Sequence, residues 1–277
     1  DWTPAAIRSA LITSARQDLQ IPDSIAAANP FDYGGGHIVP NDALQPGLVY
    51  DVSDDEYDAF ACGVASPSVT PALCADLTAA GHSFFARDLN QPAISISRLA
   101  SQETVTRRVT NVSDEAESYT IEIAAPPGIS VNVAPPTISL GPGDSTNFDV
   151  TLTYESGPMD LWRFGSITWI GDDHDVRSAL AVKPASISAP GEITSFGGTG
   201  SETFSVEFGY NGSYNPGVHG LNLPLIQSRF VDNDPTKTFT RRTSNGVTEH
   251  VLIVPQDQLF LRFSLFDALT DGDDDLD

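Results

Sequence analysis

Basic residues are scarce in this sequence. Its 277 residues contain 14 Lys and Arg against 37 Asp and Glu, which gives a net charge of −23. Nucleic-acid binding needs clustered Lys and Arg, so the composition argues against a nucleic-acid partner. Such a charge is typical of a secreted or salt-exposed protein, and we expect a solvated acidic surface rather than a patch for one particular partner.

Long apolar runs are also lacking. No run approaches the length that a helix needs to span a membrane, so we expect no membrane span. The hydrophobic content of 40% excludes global disorder, and the length allows two domains. The 20 Pro and 22 Gly residues predict many turns and loop-rich β-structure.

Cysteine occurs only twice, as Cys62 and Cys74. Their spacing excludes a CxxC metal or redox motif. A bridge between them would close a short loop that contains two prolines. The acidic, lysine-poor composition favours a disulfide and an oxidising compartment, with two free thiols as the alternative.

The opening stretch, DWTPAAIRSALITSA, predicts a helix. Thr3 is a good N-cap, and Pro4 suits the first helical position. Trp2 and Ile7 occupy the positions of a hydrophobic staple. The apolar stripe of this helix would consist of Ile7, Ala10, Leu11, Ser14 and Ala15. Because residues 1–15 offer it no partner, we expect the stripe to stay exposed and residue 1 to be a cut end.

Three glycines at 34–36 precede His37. Such a run indicates backbone with positive φ or close approach to another surface. No strand–turn–helix pattern and no P-loop lysine accompany it, which argues against a phosphate site. His37 could be a base or a metal ligand, but a lone histidine beside glycines favours a structural hydrogen-bonding role. No second histidine is spaced to build a metal site, so the sequence predicts neither a metal nor a cofactor.

From about residue 93 the hydrophobic period changes to two. Alternating runs such as TVTRRVTNV, SYTIEIAA, NFDVTLTY and GSITWI are separated by turn residues. This pattern is typical of an antiparallel β-sandwich of the immunoglobulin or fibronectin type III kind, and the absence of a cysteine pair favours the fibronectin-like variant. The predicted core residues are Val105, Val109, Tyr119, Ile121, Ile123, Val131, Phe148, Val150, Leu152, Ile167 and Trp169.

A second β-domain is predicted after the linker-like stretch KPASISAPGEITSFGGTGS. Further strand-like runs follow it, namely ETFSVEFGY, KTFTRRT, EHVLIVP and LFLRFSLFD. The sequence ends at DGDDDLD, where Leu276 begins another alternation, so we expect this end to be cut as well. The predicted fold class is therefore mainly β: an irregular first segment and two β-domains.

Several of these stretches resemble subtilisin-like serine proteases, especially the plant-type and related bacterial subtilases. The similarity lies in DWTPAAIRSALITSA, PFDYGGGHIVPNDALQPGLVYD, YDAFAC and TVTRRVTNVSDEAESYTIEIAAPPGISVNVAPPTISL. The resemblance implies that residues 1–92 are the end of a catalytic domain and residues 93–189 a fibronectin-like domain packed on it. Residues 190–277 are similar to a pre-peptidase C-terminal β-domain, cut before its most recognisable strand.

The resemblance carries over no catalytic residue. In subtilases the Ser-His-Asp triad and the oxyanion donor lie upstream of the segment that this sequence matches, and no Gly-Thr-Ser-Met or His-Gly-Thr motif occurs here. It implies a parent that is a secreted endopeptidase, with protein or peptide substrates, while this chain alone would be inactive. Its partner would be the upstream catalytic domain of the same protein.

Two other hypotheses remain open. A free-standing adhesion or carbohydrate-binding protein explains residues 93–277 equally well, since fold does not fix function. The second hypothesis is a calcium site at Asp271, Asp273 and Asp275, although a solvated acidic turn explains these residues better. Asn111 and Asn211 begin glycosylation sequons, which matter only in a eukaryotic secretory path.

Overall fold

The computed structural model describes residues 2–21, 27–190, 193, 200–210, 212–217, 227, 229–230, 232, 234–236, 246–254 and 256. The chain divides into two compact units, Asp1–Ser213 and Tyr214–Asp277. The helices and strands found among the described residues belong to the first unit.

Four α-helices lie in the first segment of the chain. They are α1 (Pro4–Thr13), α2 (Pro30–Tyr33), α3 (Asp54–Gly63) and α4 (Pro71–Ala79), with short 3-10 turns at Asp42–Leu44 and Ala86–Asp88. Their starts follow from capping: the Thr3 side chain accepts a hydrogen bond from the Ala6 N–H, and Ser53 forms a capping box with Glu56. The predicted opening helix is therefore present.

Eleven strands are found among the described residues, and nine of them form two stacked sheets. The strands are β1 (Leu48–Val49), β2 (Ile94–Leu99), β3 (Gln102–Asn111), β4 (Glu117–Ala124), β5 (Ile129–Ala134), β6 (Thr137–Leu140), β7 (Ser145–Tyr154), β8 (Arg163–Ile170), β9 (Asp175–Pro184), β10 (Ile187–Ser188) and β11 (Glu207–Phe208). One sheet has the order β1-β3-β7-β5 and the other the order β2-β9-β8-β4-β6. Apart from the parallel β2–β9 pair, the neighbours are antiparallel. The predicted mainly β fold is confirmed.

The inward faces of the two sheets meet in one core. Eight of the eleven predicted core residues are buried: Val105, Val109, Tyr119, Phe148, Val150, Leu152, Ile167 and Trp169. Ile121 and Val131 are partly buried against this core. The prediction was wrong for Ile123, which is 37% exposed, because it lies close to Ala124, where the pairing of β4 with β8 ends.

The first segment contributes a strand and two side chains to the sandwich. Strand β1 pairs with the end of β3, Leu48 opposite Asn111 and Val49 opposite Thr110. Leu48 and Tyr50 are buried in the same core cluster as the sandwich strands. The core thus crosses the predicted boundary at residues 92 and 93, although the domain limits themselves stay predictions.

Helix α1 buries its small residues and exposes larger ones. Its buried side chains are Ala5, Ala6, Ser9, Ala10 and Thr13. Ala6 and Ala10 pack against Val49, so the expectation that the helix has no partner in this chain was wrong. Ile7 is 48% exposed, as expected for the predicted stripe, whereas Ala10 of the same stripe is buried.

The predicted linker after β9 contains a strand. β10 pairs antiparallel with β11, and Gly209 follows at a point where a Cβ atom would lie 2.1 Å from the Ala100 carbonyl oxygen. Only glycine fits there, because backbone atoms cannot move aside as a flexible side chain can. Residues 249–254, predicted as a strand, carry no regular secondary structure. Most of the predicted second β-domain, including 271–275, lies outside the described residues.

Candidate functional site

The described acidic, histidine and cysteine side chains do not gather into a metal centre. No group of three or more His, Cys, Asp or Glu side chains among them is placed to hold a metal ion. None of the helices in this described part is both long and apolar enough to cross a membrane. The candidate sites are therefore surfaces and clefts.

The glycine run and His37 form a backbone turn. The main chain of His37 pairs with that of Arg16 through two hydrogen bonds, of 2.9 and 2.8 Å. Gly36 has φ of 120°, and a Cβ there would lie 2.7 Å from the Arg16 carbonyl oxygen. Positive φ and close approach both require glycine, so this run positions the chain beside α1.

Three polar side chains join the first segment to strand β3. The buried Asn90 side chain donates to the carbonyl oxygens of Asp51 and Arg108, and it accepts a hydrogen bond from the Arg108 N–H at 2.9 Å. It therefore pairs with the edge of β3 as a neighbouring strand would. Arg108 in turn donates to the Glu56 carboxylate at 2.9 Å.

Arg107 lies on the inward side of β3 and is only 2% exposed. Its guanidinium donates to the carbonyl oxygens of Arg87 and Gln91, each at 2.8 Å. Burial lowers its pKa to about 10, against an opposing effect from Tyr50. Burial raises the pKa of Tyr50 to about 12, so this phenol stays protonated and the arginine stays charged at neutral pH.

A polar cleft opens beside this junction, between the chain at residues 83–90 and strand β3. Its volume is about 300 Å³. The lining residues are Glu56, Ser83, Asp88, Asn90, Thr104, Thr106, Arg107, Arg108 and Asn147. Two carboxylates and two guanidiniums balance in charge, so the cleft suits an uncharged, hydrogen-bonding group better than an ion.

A second polar cluster fixes the turn between β8 and β9. The Glu117 carboxylate accepts hydrogen bonds from the Tyr119 hydroxyl and from the His174 ring, each at 2.7 Å. It also accepts from the Asp173 N–H. Burial alone would raise the pKa of Glu117, but these hydrogen bonds outweigh it and lower the pKa. These bonds hold the turn between β8 and β9 against strand β4.

Cys62 and Cys74 form a disulfide with their Cα atoms 5.8 Å apart. It joins the end of α3 to the start of α4, and it ties the loop between them to both helices. The bond is local, since both partners lie in the first segment.

Large apolar side chains remain exposed along the first segment. We define the exposed apolar set as five of them that lie before residue 45, namely Trp2, Ile7, Phe31, Ile38 and Leu44. Phe31 makes edge-on contacts with Trp162 and Phe164, each with ring centroids 5.0 Å apart, yet it is 58% exposed. Single exposed apolar residues are ordinary, but several of them along one segment make it a candidate interaction surface.

Comparison with known proteins identifies the sandwich. Residues 88–182 match the family model of the fibronectin type-III domain. The FixG-related protein from Vibrio parahaemolyticus is similar over 30% of this chain and 78% of its own, with 14% identity and a TM-score of 0.27, too low to support an argument.

The chain is also similar in sequence to subtilisin-like proteases. Subtilisin-like protease SBT3.16 of Arabidopsis thaliana is 39% identical over 66% of this chain, and SBT2.6 is 38% identical over 61%. The chain covers 26% and 22% of these relatives, so it spans about a quarter of their length. Residues 88–182 form a fibronectin type-III domain, and the chain is similar in sequence to part of the subtilisin-like proteases, as the sequence resemblance predicted.

The junction residues were missed by sequence reasoning, although one signal was present. Arg107 stands between Val105 and Val109 in the alternation of β3, at a position that points into the core. A charged residue at an inward position indicates a buried polar network. Asn90 offers no such signal, because its partners Asp51 and Arg108 lie 39 and 18 residues away.

Proposed function

We propose that this chain is the accessory C-terminal region of a secreted subtilisin-like serine endopeptidase. The parent would hydrolyse peptide bonds of proteins or peptides through a Ser-His-Asp triad that lies upstream of this chain. This region would buttress the catalytic domain and carry the β-domains. By itself it would be inactive and would need no cofactor.

The observation that carries this proposal is the burial pattern of α1, in which small side chains are buried and a larger one is exposed. Ala6 and Ala10 are 4% and 2% exposed, whereas Ile7 between them is 48% exposed. A helix that faced only this chain and water would gain more by burying the isoleucine, since burial of such a side chain contributes about 1.5–3 kcal/mol. The outer face of α1 therefore suits a second protein surface, which we assign to the catalytic domain of the same protein.

Secretion is supported by two features of the chain. The disulfide between Cys62 and Cys74 fits an oxidising compartment. The net charge of −23 suits a solvated extracellular surface and disfavours nucleic acid as a partner.

A serine-directed fluorophosphonate tests the location of the nucleophile. We expect no labelling of this chain and stoichiometric labelling of the parent protein. The reading frame upstream of Asp1 should encode a Gly-Thr-Ser-Met segment. Stoichiometric labelling of the isolated chain would contradict the proposal, and an upstream frame without that segment would favour the adhesion or carbohydrate-binding alternative.

The docking face is tested by the same substitution in two contexts. Ile7→Ser should change the free energy of unfolding of this chain by less than about 0.5 kcal/mol, because Ile7 already faces water. In the parent it should cost about 1.5–3 kcal/mol if the side chain is buried there. Val64→Ser, at a residue 56% exposed outside the exposed apolar set, is the matched control and should be neutral in both. Equal effects of Ile7→Ser in both contexts would contradict the assignment.

A further inference from the structure

The alternation of hydrogen bonds along β3 shows which residues face its outer edge. The Arg108 N–H and C=O both bond the Asn90 side chain, and the Val112 N–H donates to the Gly47 carbonyl oxygen, on the side of β1. On the opposite side, the Asn111 N–H donates to Asp144, which precedes β7. Even-numbered residues of β3 thus point their main-chain groups away from β7.

The register of β3 against β7 is continuous from Gln102 to Thr110. Thr104 and Thr106 therefore also point their main-chain groups to the outer edge. Strand β1 covers this edge only at Thr110 and Asn111. The Arg107 guanidinium donates a hydrogen bond to the Thr106 carbonyl oxygen at 3.1 Å. Among the described residues, no partner bonds the N–H groups of Thr104 and Thr106 or the Thr104 carbonyl oxygen.

This open edge lies in the polar cleft described above. Thr104 and Thr106 line the cleft together with Asn147 of β7. Two residues of a strand span about 6.6 Å, so the open donors and acceptor match a short stretch of extended chain. The volume of about 300 Å³ leaves room for it.

We propose that this cleft binds an extended, uncharged peptide segment that adds a strand to the edge of β3. Two peptide carbonyls would accept from the Thr104 and Thr106 N–H groups, and a peptide N–H would donate to the Thr104 carbonyl oxygen. Main-chain pairing of this kind supplies affinity in strand-addition complexes. The balanced charges of Glu56, Asp88, Arg107 and Arg108 favour uncharged side chains in the segment. The inference does not depend on the proposed function.

Backbone amide NMR of the full chain tests this site. The probe is the blocked peptide Ac-TVSVTS-NH2, whose β-branched residues favour an extended conformation. At saturation we expect amide exchange of Thr104 and Thr106 to slow by about tenfold, the protection given by about 1.4 kcal/mol. The amides of Val105 and Arg107, which face β7, should be unchanged. The peptide Ac-TVPVTS-NH2 carries a central proline in place of serine and should protect much less.

Two substitutions separate the main chain of Thr106 from its side chain. Thr106→Pro removes the N–H and should abolish protection, whereas Thr106→Ala keeps the N–H and should retain it. Because this N–H does not pair with β7, the proline variant should stay folded. The proposal is overturned if the peptide leaves both amides unchanged, if both peptides act equally, if these amides already exchange slowly in the free chain, or if Thr106→Pro unfolds it.

Discussion

The hydroxyl of Tyr50 lies 2.8 Å from the hydroxyl of Ser178, and both side chains are buried. The bond joins the first segment to strand β9 across 128 residues of sequence. The Tyr50 ring also makes an edge-on contact with Phe148, with centroids 6.3 Å apart. Tyr50 is therefore a core residue of a sandwich whose other strands begin more than forty residues later.

Removal of Tyr50 should destabilise the whole sandwich. We expect Tyr50→Ala to lower the free energy of unfolding by about 3–5 kcal/mol, the range for a large aromatic residue removed from a core. Tyr50→Phe should cost about 1–3 kcal/mol, because it leaves the buried Ser178 hydroxyl without its partner. Denaturant unfolding of the full chain measures both.

Leu44→Ala, at a residue 75% exposed, is the control in the same segment and should be close to neutral. If Tyr50→Ala were as mild as this control, the first segment would not share the core of the sandwich.

The sandwich could be predicted from the sequence because its signal is local. Alternation in β3, β7 and β8 identifies Val105, Phe148 and Trp169 as inward residues without any knowledge of their partners. Ile123 has the correct alternation but lies where the pairing of β4 ends, and such ends depend on the length of neighbouring strands.

The remaining features depend on contacts between distant residues. The sequence predicts an irregular loop around Leu48 and Tyr50, because a strand of two residues is too short to show an alternating hydrophobic pattern. Helix α1 buries alanine and serine, which are less hydrophobic than Ile7 and Leu11. Hydrophobicity alone therefore predicts the wrong buried face for this helix. The open edge at Thr104 becomes visible only from the bonds that Asn90 makes with Arg108.

Trp169 should be the most sensitive residue of the sandwich interior. It is fully buried and makes an edge-on contact with Phe148, with centroids 5.1 Å apart. Trp169→Ala should cost about 3–5 kcal/mol. Its indole N–H has no hydrogen-bond partner among the described residues. Trp169→Phe removes that unpaired donor and should therefore cost less than half as much, measured by the same unfolding experiment.

An unchanged unfolding midpoint for Trp169→Ala would mean that the inward and outward faces of β8 are misassigned. A cost for Trp169→Phe equal to that for alanine would mean that the indole N–H has a partner, or that ring volume alone decides stability.

Asn111 should carry no glycan in the folded protein, although it begins a sequon. Its side-chain amide donates to the carbonyl oxygens of Glu115 and Leu140, each at 2.9 Å, and the residue has no exposed surface. A glycan on this nitrogen would replace one donor N–H and could not fit. Mass spectrometry of the chain secreted from a eukaryotic host should find Asn111 unmodified, and a folded, glycosylated form would contradict its buried position.

The carboxylate of Glu117 should make stability depend on pH. Burial alone would raise its pKa from 4.5, but the hydrogen bonds from His174, Tyr119 and the Asp173 N–H together outweigh burial and lower the pKa. A lowered pKa stabilises the folded state above the unfolded pKa, and this contribution is lost as pH falls through the folded pKa. The stability difference between the unmodified chain and Glu117→Gln should therefore be constant above about pH 5.5 and shrink below about pH 4.5. Glu122→Gln changes an exposed residue of the same strand and serves as the control, for which the stability difference should not depend on pH. A stability difference for Glu117→Gln that stays constant down to pH 3 would show that these bonds do not hold the carboxylate ionised.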